Sequence, residues 1–336
     1  MNVRCMLIDL SALYVEYRTL SGIGWEIHLE TLKDAWENSP DMVSLSTGAL
    51  TGTGAPGSGG FSWCCWKQNK FHVIPAEGRI GAACRYERID HLLIKGVAEC
   101  PLDIILRDGG FTFQHTTEKH PGAAKLYQNI RRQLDGDFVI MTVGAKEVLE
   151  DGTFRIGGES LARKLQSKNL RSIAVMATGG IPIHSPESFL VVCQEIYRAR
   201  REKRGNPAQK TRHGEQNELA SSSLRGASFC DAAIQKYLPL FRNNPAQKAI
   251  ARYLSLNGAV DDGRAFPSLA MDSNDVQPAV ESMLGLYWGN GFPLDNPLLY
   301  ASRLMNAYSD KSFTINSLEK IALESINTAR TIRCGK

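Results

Sequence analysis

Along the first two-thirds of the chain, apolar positions come in short runs bounded by turn residues; along the last third they recur at helical spacing. Residues 3–10 predict a strand, with residues 12–17 as its hairpin partner around a turn at Asp9 to Ser11. Ile27, Leu29, Leu32 and Trp36 have the spacing of a helix that stops before Pro40. A short apolar run at 42–45 feeds a glycine-rich segment, strands follow at 61–66, 70–75 and 91–96, and the small-residue-rich stretch 79–86 is compatible with the start of a helix. Residues 101–106 and 111–113 flank Asp108-Gly109-Gly110, a hairpin signal. A helix over 121–134, a strand over 138–144, a helix over 159–168 and a strand over 172–176 complete this part. Ser185 then serves as N-cap and Pro186 as first-turn residue of a further helix.

That helix runs into a charged stretch with seven Lys and Arg between Arg198 and Arg212. No aromatic residue interleaves with these charges, so the stretch reads as a solvated helix end and linker and not as a nucleic-acid groove. Beyond it the periodicity predicts helices at 231–241, 246–256, 276–287, 297–308 and 315–333. The fold class expected is α+β. A strand-rich N-terminal domain over 1–197 is followed by a charged linker over 198–223 and an all-helical C-terminal region over 224–336.

Composition narrows the function classes. The chain has 336 residues, of which 43% are hydrophobic and 22% charged, which is globular. A net charge of +4 from 39 basic and 35 acidic residues gives no nucleic-acid or membrane footprint. No apolar run approaches the roughly 18 residues a membrane span needs. The opening residues meet Asp9 before any leader-like apolar core, so the expected compartment is the cytoplasm. The eight cysteines are scattered and form no CxxC pair, which predicts free thiols and no metal site. Adjacent Cys64 and Cys65 would point to opposite faces of a strand and could not easily share one metal. The seven histidines are isolated in sequence, and no nucleophile–base spacing stands out.

The most informative stretch runs from Thr47 to Ser62 and holds six glycines between Gly48 and Gly60. Glycines admit a ligand close to the backbone, and their N–H groups can bind phosphate oxygens. It is not a P-loop, since no GK[ST] follows, and the match to GxGxxG at Gly52, Gly54 and Gly57 lacks an entry into a helix. On physical grounds it is either a structural loop or a phosphate cradle.

Residues 50–59 (LTGTGAPGSG) resemble the PLTGT-APGSGR segment of the tungsten-containing aldehyde:ferredoxin oxidoreductase family. Further segments resemble the family in the same order: 4–11 its opening strand, 90–101 (DHLLIKGVAECP) its DAIIVEGKAEKP, and 167–175 (SKNLRSIAV) its SKNLKAIAV. Fainter resemblance continues through Met305-Asn306-Ala307, Phe313-Thr314, 318–321 and 326–330. The resemblance implies an N-terminal domain of that family, on which two pterins chelate one tungsten beside a 4Fe–4S cluster. The implied cofactor-binding residues here are Gly54, Gly57, Ser58, Gly59, Gly60, Gly78, Arg79 and Gly81.

The sequence departs from the family around that site. Gly60 stands where the family has an arginine, so charge-assisted contacts are lost. Pro75 and Glu77 replace an Asn and a Gly, and a carboxylate at Glu77 would face phosphate. Gly158-Glu159-Ser160 replaces an Arg-Gly-Gly element. The three-cysteine cluster motif is absent, and Tyr287 aligns with the fourth cluster ligand, so no 4Fe–4S cluster is expected. Two readings follow. One is a divergent tungsto- or molybdopterin oxidoreductase, completed by another subunit and passing electrons from aldehydes to ferredoxin. The other is a cofactor-free structural or regulatory subunit that pairs with itself or with a full-length paralogue.

Overall fold

The computed structural model describes residues 1–27, 41–67, 70–117, 122–203, 276–286, 288 and 294–331. Its strands form two six-stranded sheets. The first sheet holds β1 (Asn2–Asp9), β2 (Tyr14–Ser21), β3 (Val43–Thr47), β4 (Gly60–Lys67), β5 (Lys70–Glu77) and β6 (His91–Lys95), in the order β2-β1-β6-β3-β4-β5. The second holds β7 (Leu102–Arg107), β8 (Gly110–His115), β9 (Val139–Val143), β10 (Val148–Glu150), β11 (Phe154–Gly157) and β12 (Leu170–Met176), in the order β11-β10-β9-β12-β7-β8.

Read from its hairpin end, the second sheet repeats the first. An antiparallel hairpin (β1–β2, β7–β8) pairs in parallel with the last strand of its own unit (β6, β12). Three antiparallel strands then complete each sheet (β3-β4-β5, β9-β10-β11). A helix precedes the last strand in both: α1 (Arg79–Tyr86) before β6 and α3 (Glu159–Gln166) before β12. The domain is therefore two copies of one strand–helix unit. The sequence pattern hides this, because β10 and β11 are only three and four residues long and give no strand signal of their own.

The sheets face each other across one core. Met6, Ile8, Val43, Leu45, Trp63, Cys65, Leu92 and Ile94 from the first meet Ile104, Leu106, Met141, Val143, Ile173 and Val175 from the second. Alternate residues of the first sheet point the other way: Cys5, Leu7, Cys64, Trp66, Val73 and Leu93 join a second core with the helices. Cys64 and Cys65 thus lie on opposite faces, as the strand reading required. The outer face of the second sheet is covered by α2 (Ala123–Gln133) through Leu126 and Ile130.

Helices α4 (Pro186–Lys203), α5 (Val276–Leu284), α6 (Pro297–Tyr308) and α7 (Ile315–Thr331) bury their stripes on the first sheet. Phe189, Val192 and Ile196 show the helical spacing, as do Ala301, Leu304 and Met305. Asn296 caps α6, accepting the Leu299 N–H at 3.1 Å ahead of Pro297 at the first position. The α+β arrangement of strand-rich units followed by helices is as expected. Strand β2 begins at Tyr14, because Leu13 takes a left-handed backbone (φ 50°) and the Asp9 carboxylate accepts the Ser11 N–H, which keeps residues 11–13 in the turn. Helix α4 continues through the start of the charged stretch to Lys203. The predicted helices at 231–241 and 246–256, most of that predicted before Pro40, and the rest of the linker lie outside the described residues.

Motifs that look like the family hold this scaffold together. The Lys168 ammonium, buried at 1% exposure, donates to Asp41 at 2.5 Å and to the Gly96 carbonyl at 3.1 Å. Asn169, at φ 57°, donates to the Ala98 carbonyl at 2.6 Å. The Asp90 carboxylate accepts the Arg4 N–H at 2.9 Å and Arg85 Nε at 3.2 Å.

Candidate functional site

The glycine-rich loop joins β3 to β4. The Thr51 hydroxyl pins its base, accepting the Gly48 N–H at 2.8 Å and donating to the Gly60 carbonyl at 2.5 Å. The Gly52 N–H donates to the Ser58 carbonyl at 2.8 Å. Gly52, Gly54 and Gly57 all take left-handed backbones, at φ 75°, 83° and 77°. Arg85 of α1 is buried under the loop, and its NH1 donates to the carbonyls of Gly48, Ala49 and Thr51 at 3.2, 2.7 and 2.9 Å. Its NH2 reaches the Tyr308 hydroxyl of α6 at 2.8 Å, so one guanidinium ties loop, helix and C-terminal layer together. Nothing in the sequence pattern singled out Arg85.

One face of the loop is covered by the end of α5. The Leu50 N–H donates to the Leu284 carbonyl at 2.8 Å and the Gly60 N–H to the Gly285 carbonyl at 3.1 Å. Trp288 Nε1 donates to the Pro56 carbonyl at 2.7 Å, and the Ser62 and Ser282 hydroxyls meet at 2.8 Å. A methyl group at Gly48 would stand 1.8 Å from Gly285 N, and one at Gly60 2.8 Å from Gly285 O. The glycines at 48 and 60 therefore admit the chain's own backbone.

The second half of the implied site is the corner from β5 into α1. Gly78 is the N-cap of α1 and has no side chain to cap with. Glu150, from β10 of the other sheet, does so instead: it accepts the Arg79 N–H at 2.8 Å and the Ile80 N–H at 2.7 Å. The Glu150 carboxyl is buried, and burial pushes its pKa up from 4.5 to about 7, with the Asp151 charge acting the same way and the two N–H bonds opposing. Burial likewise raises Asp151. A methyl group at Gly78 would lie 2.5 Å from the Glu150 carboxylate, and one at Gly59 3.1 Å from that of Glu77.

The implied site residues are thus brought to one region with different surroundings. Gly59 and Gly78 are joined by a backbone bond of 3.1 Å. Gly54 is open, with no atom within 4 Å of where a Cβ would be. Ser58 is buried, and its hydroxyl finds no partner among the described residues. Gly81 lets α1 lie on the Phe61 ring, where a Cβ would approach to 2.9 Å. The Arg79 guanidinium turns to Asp151 at 3.3 Å and Asp137 at 3.9 Å. Tyr287 lies outside the described residues.

A pterin bearing phosphate needs donors and cations here. The first two N–H groups of α1 are taken by Glu150, Arg79 is ion-paired, and two carboxylates face the glycines. Among the described residues, no group of three or more His, Cys, Asp or Glu could hold a metal ion. At the corner between Gly59 and Gly78, the helix N–H donors and the cation that a phosphate would need are therefore already engaged. Nor is any helix among them long and apolar enough to cross a membrane.

Two sheets of like topology, joined through a glycine-rich corner and roofed by helices, define a domain of the α+β class. Residues 8–176 match the aldehyde ferredoxin oxidoreductase N-terminal domain, and the chain belongs to that family. It is 25% identical over 172 residues to the tungsten-containing aldehyde ferredoxin oxidoreductase of Pyrococcus furiosus. That match spans 47% of this chain but only 28% of the relative's length. Among solved structures it is similar to the active site complex BamBC of benzoyl coenzyme A reductase in complex with 1,5-dienoyl-CoA. The TM-score is 0.56 at 14% identity, covering 63% of this chain and 37% of the other, a likeness of fold.

Proposed function

We propose that this chain is a cofactor-free member of the aldehyde ferredoxin oxidoreductase family that lends its two-sheet domain to an assembly with a longer family member. The observation that carries this reading is the Glu150 carboxylate on the N-terminus of α1. A helix N-terminus attracts an anion, and here the anion is part of the chain. A phosphate group could take that place only by displacing a buried, twice hydrogen-bonded carboxyl group. The missing three-cysteine motif and the glycine at position 60 point the same way.

A second reading keeps catalysis. Gly54 remains open and the buried Ser58 hydroxyl lacks a partner, which favours a tungsto- or molybdopterin completed by another subunit, with aldehyde as substrate and ferredoxin as acceptor. The two readings separate when the tagged chain is purified anaerobically from its native cells. The first predicts a longer family member bound to it, with all tungsten or molybdenum in that partner. A lone monomer, or metal travelling with this chain after the partner is removed, contradicts it.

A further inference from the structure

We propose that an open cleft at the rim of the first sheet binds the phosphate group of a small molecule, gripped by the Arg4 and Arg88 guanidinium groups. The inference does not depend on whether the chain carries a pterin. The cleft has a volume of about 410 Å³ and lies between the β1–β2 ribbon and the corner from α1 into β6. Arg4, Tyr17, Arg18, Thr19, Arg88 and Asp90 are among its walls, with Asn2 beside them.

Three observations converge on an anion. First, Arg88 ends α1 in the left-handed region, at φ 59°. The Arg88 N–H donates to the Arg85 carbonyl at 2.9 Å and the Ile89 N–H to the Cys84 carbonyl at 2.8 Å. That is the helix-ending motif whose left-handed position glycine favours. An arginine held there against its backbone preference points to a role for its side chain. This guanidinium has no hydrogen-bond or ion-pair partner among the described residues, although its residue is exposed.

Second, the Arg4 guanidinium stacks over the Tyr17 ring, 4.3 Å from its centroid. Stacking fixes its plane and leaves the N–H edges available, as bidentate phosphate recognition requires. Third, the carboxylate within the cleft is already engaged: Asp90 accepts the Arg4 backbone N–H and Arg85 Nε. Arg18 is paired with Glu16 at 2.6 Å and contributes field more than a free fork. Two free forks, the Thr19 hydroxyl and the Asn2 amide suit a tetrahedral dianion better than a planar monoanion.

The test is calorimetric titration of the full chain with inorganic phosphate and pyrophosphate, using sodium chloride at matched ionic strength as the blank. Expected is saturable one-site binding, tighter for pyrophosphate. Affinity should fall about tenfold in Arg88→Gly and in Arg4→Gln, and by a smaller factor in Arg18→Gln, which removes field but no free fork. Arg88→Gly suits the left-handed backbone, so its melting temperature should hold or rise while binding is lost. Absence of saturable binding, or unchanged affinity in Arg88→Gly, overturns the proposal. So does tighter binding of a polyglutamate peptide than of pyrophosphate, which would assign the cleft to an acidic protein.

Discussion

Glu150 receives the Ile80 N–H at 2.7 Å, so a side chain of the second sheet caps the helix that follows the first. The contact spans two copies of one structural unit and seals the corner at which the family resemblance places a cofactor. It also buries a carboxyl group whose ionisation works against folding.

The sign of the resulting pH dependence follows from the raised pKa. The unfolded chain releases this proton near 4.5 and the folded chain near 7. Between those values the folded state holds more protons, so this contribution is fully present below pH 4.5 and is lost as pH rises through about 7. The shift corresponds to roughly 3 kcal/mol at most. In denaturant melts from pH 5 to 8, the native chain should lose stability relative to Glu150→Gln as pH rises. An unchanged slope in the variant removes Glu150 as the cause.

His91 predicts the opposite trend at lower pH. The ring is buried, its Nδ1 lies 2.7 Å from Ser46 Oγ, and burial lowers its pKa from 6.5 to about 3. The unfolded chain takes up the proton first, so stability from this residue is lost as pH falls below 6.5. Proton NMR of the imidazole should find it neutral at pH 5; a ring titrating near 6.5 contradicts this placement.

The glycines of the loop are predicted to divide into two kinds. Gly48→Ala forces a methyl group to within 1.8 Å of the Gly285 backbone and should cost about 3 kcal/mol or more by lifting α5 from the loop. Gly54→Ala meets open space and should cost about 1 kcal/mol, the strain of a left-handed backbone. Urea melts of both variants test the contrast, and equal losses would mean that α5 does not press on Gly48.

Arg85→Lys should behave much like Arg85→Met. Five donors in a rigid fork reach three loop carbonyls, Asp90 and the Tyr308 hydroxyl, which one ammonium cannot span. Each variant should lose about 2–4 kcal/mol, and hydrogen exchange should quicken at Gly52, whose N–H bonds within the loop. Full rescue by lysine would leave only charge as the residue's role.

Much of the scaffold could be read in the sequence, and little of the site's chemistry. The β7–β8 hairpin was visible in Asp108-Gly109-Gly110, and α6 in its periodicity from Pro297 to Tyr308. The β10–β11 hairpin was missed because its strands, Val148–Glu150 and Phe154–Gly157, are too short to show alternation. Asp151-Gly152 between them is the same kind of turn signal and could have revealed it. Without β10 nothing connected Glu150 to Arg79, 71 residues away in sequence. Local pattern finds elements; which carboxylate meets which helix end is decided by sheet packing. The segments resembling the family read well for a related reason: Lys168, Asn169 and Asp90 hold the fold, whereas the departures gather where a ligand would sit.

The corner between Gly59 and Gly78 is filled by the chain itself, and this is tested most directly by the tungsten, molybdenum and pterin content of the chain purified alone under anaerobic conditions from cells supplied with both metals. Neither metal nor pterin is expected at a stoichiometric level, in the native chain and in Glu150→Gln alike. One metal atom with two pterins per chain would contradict it.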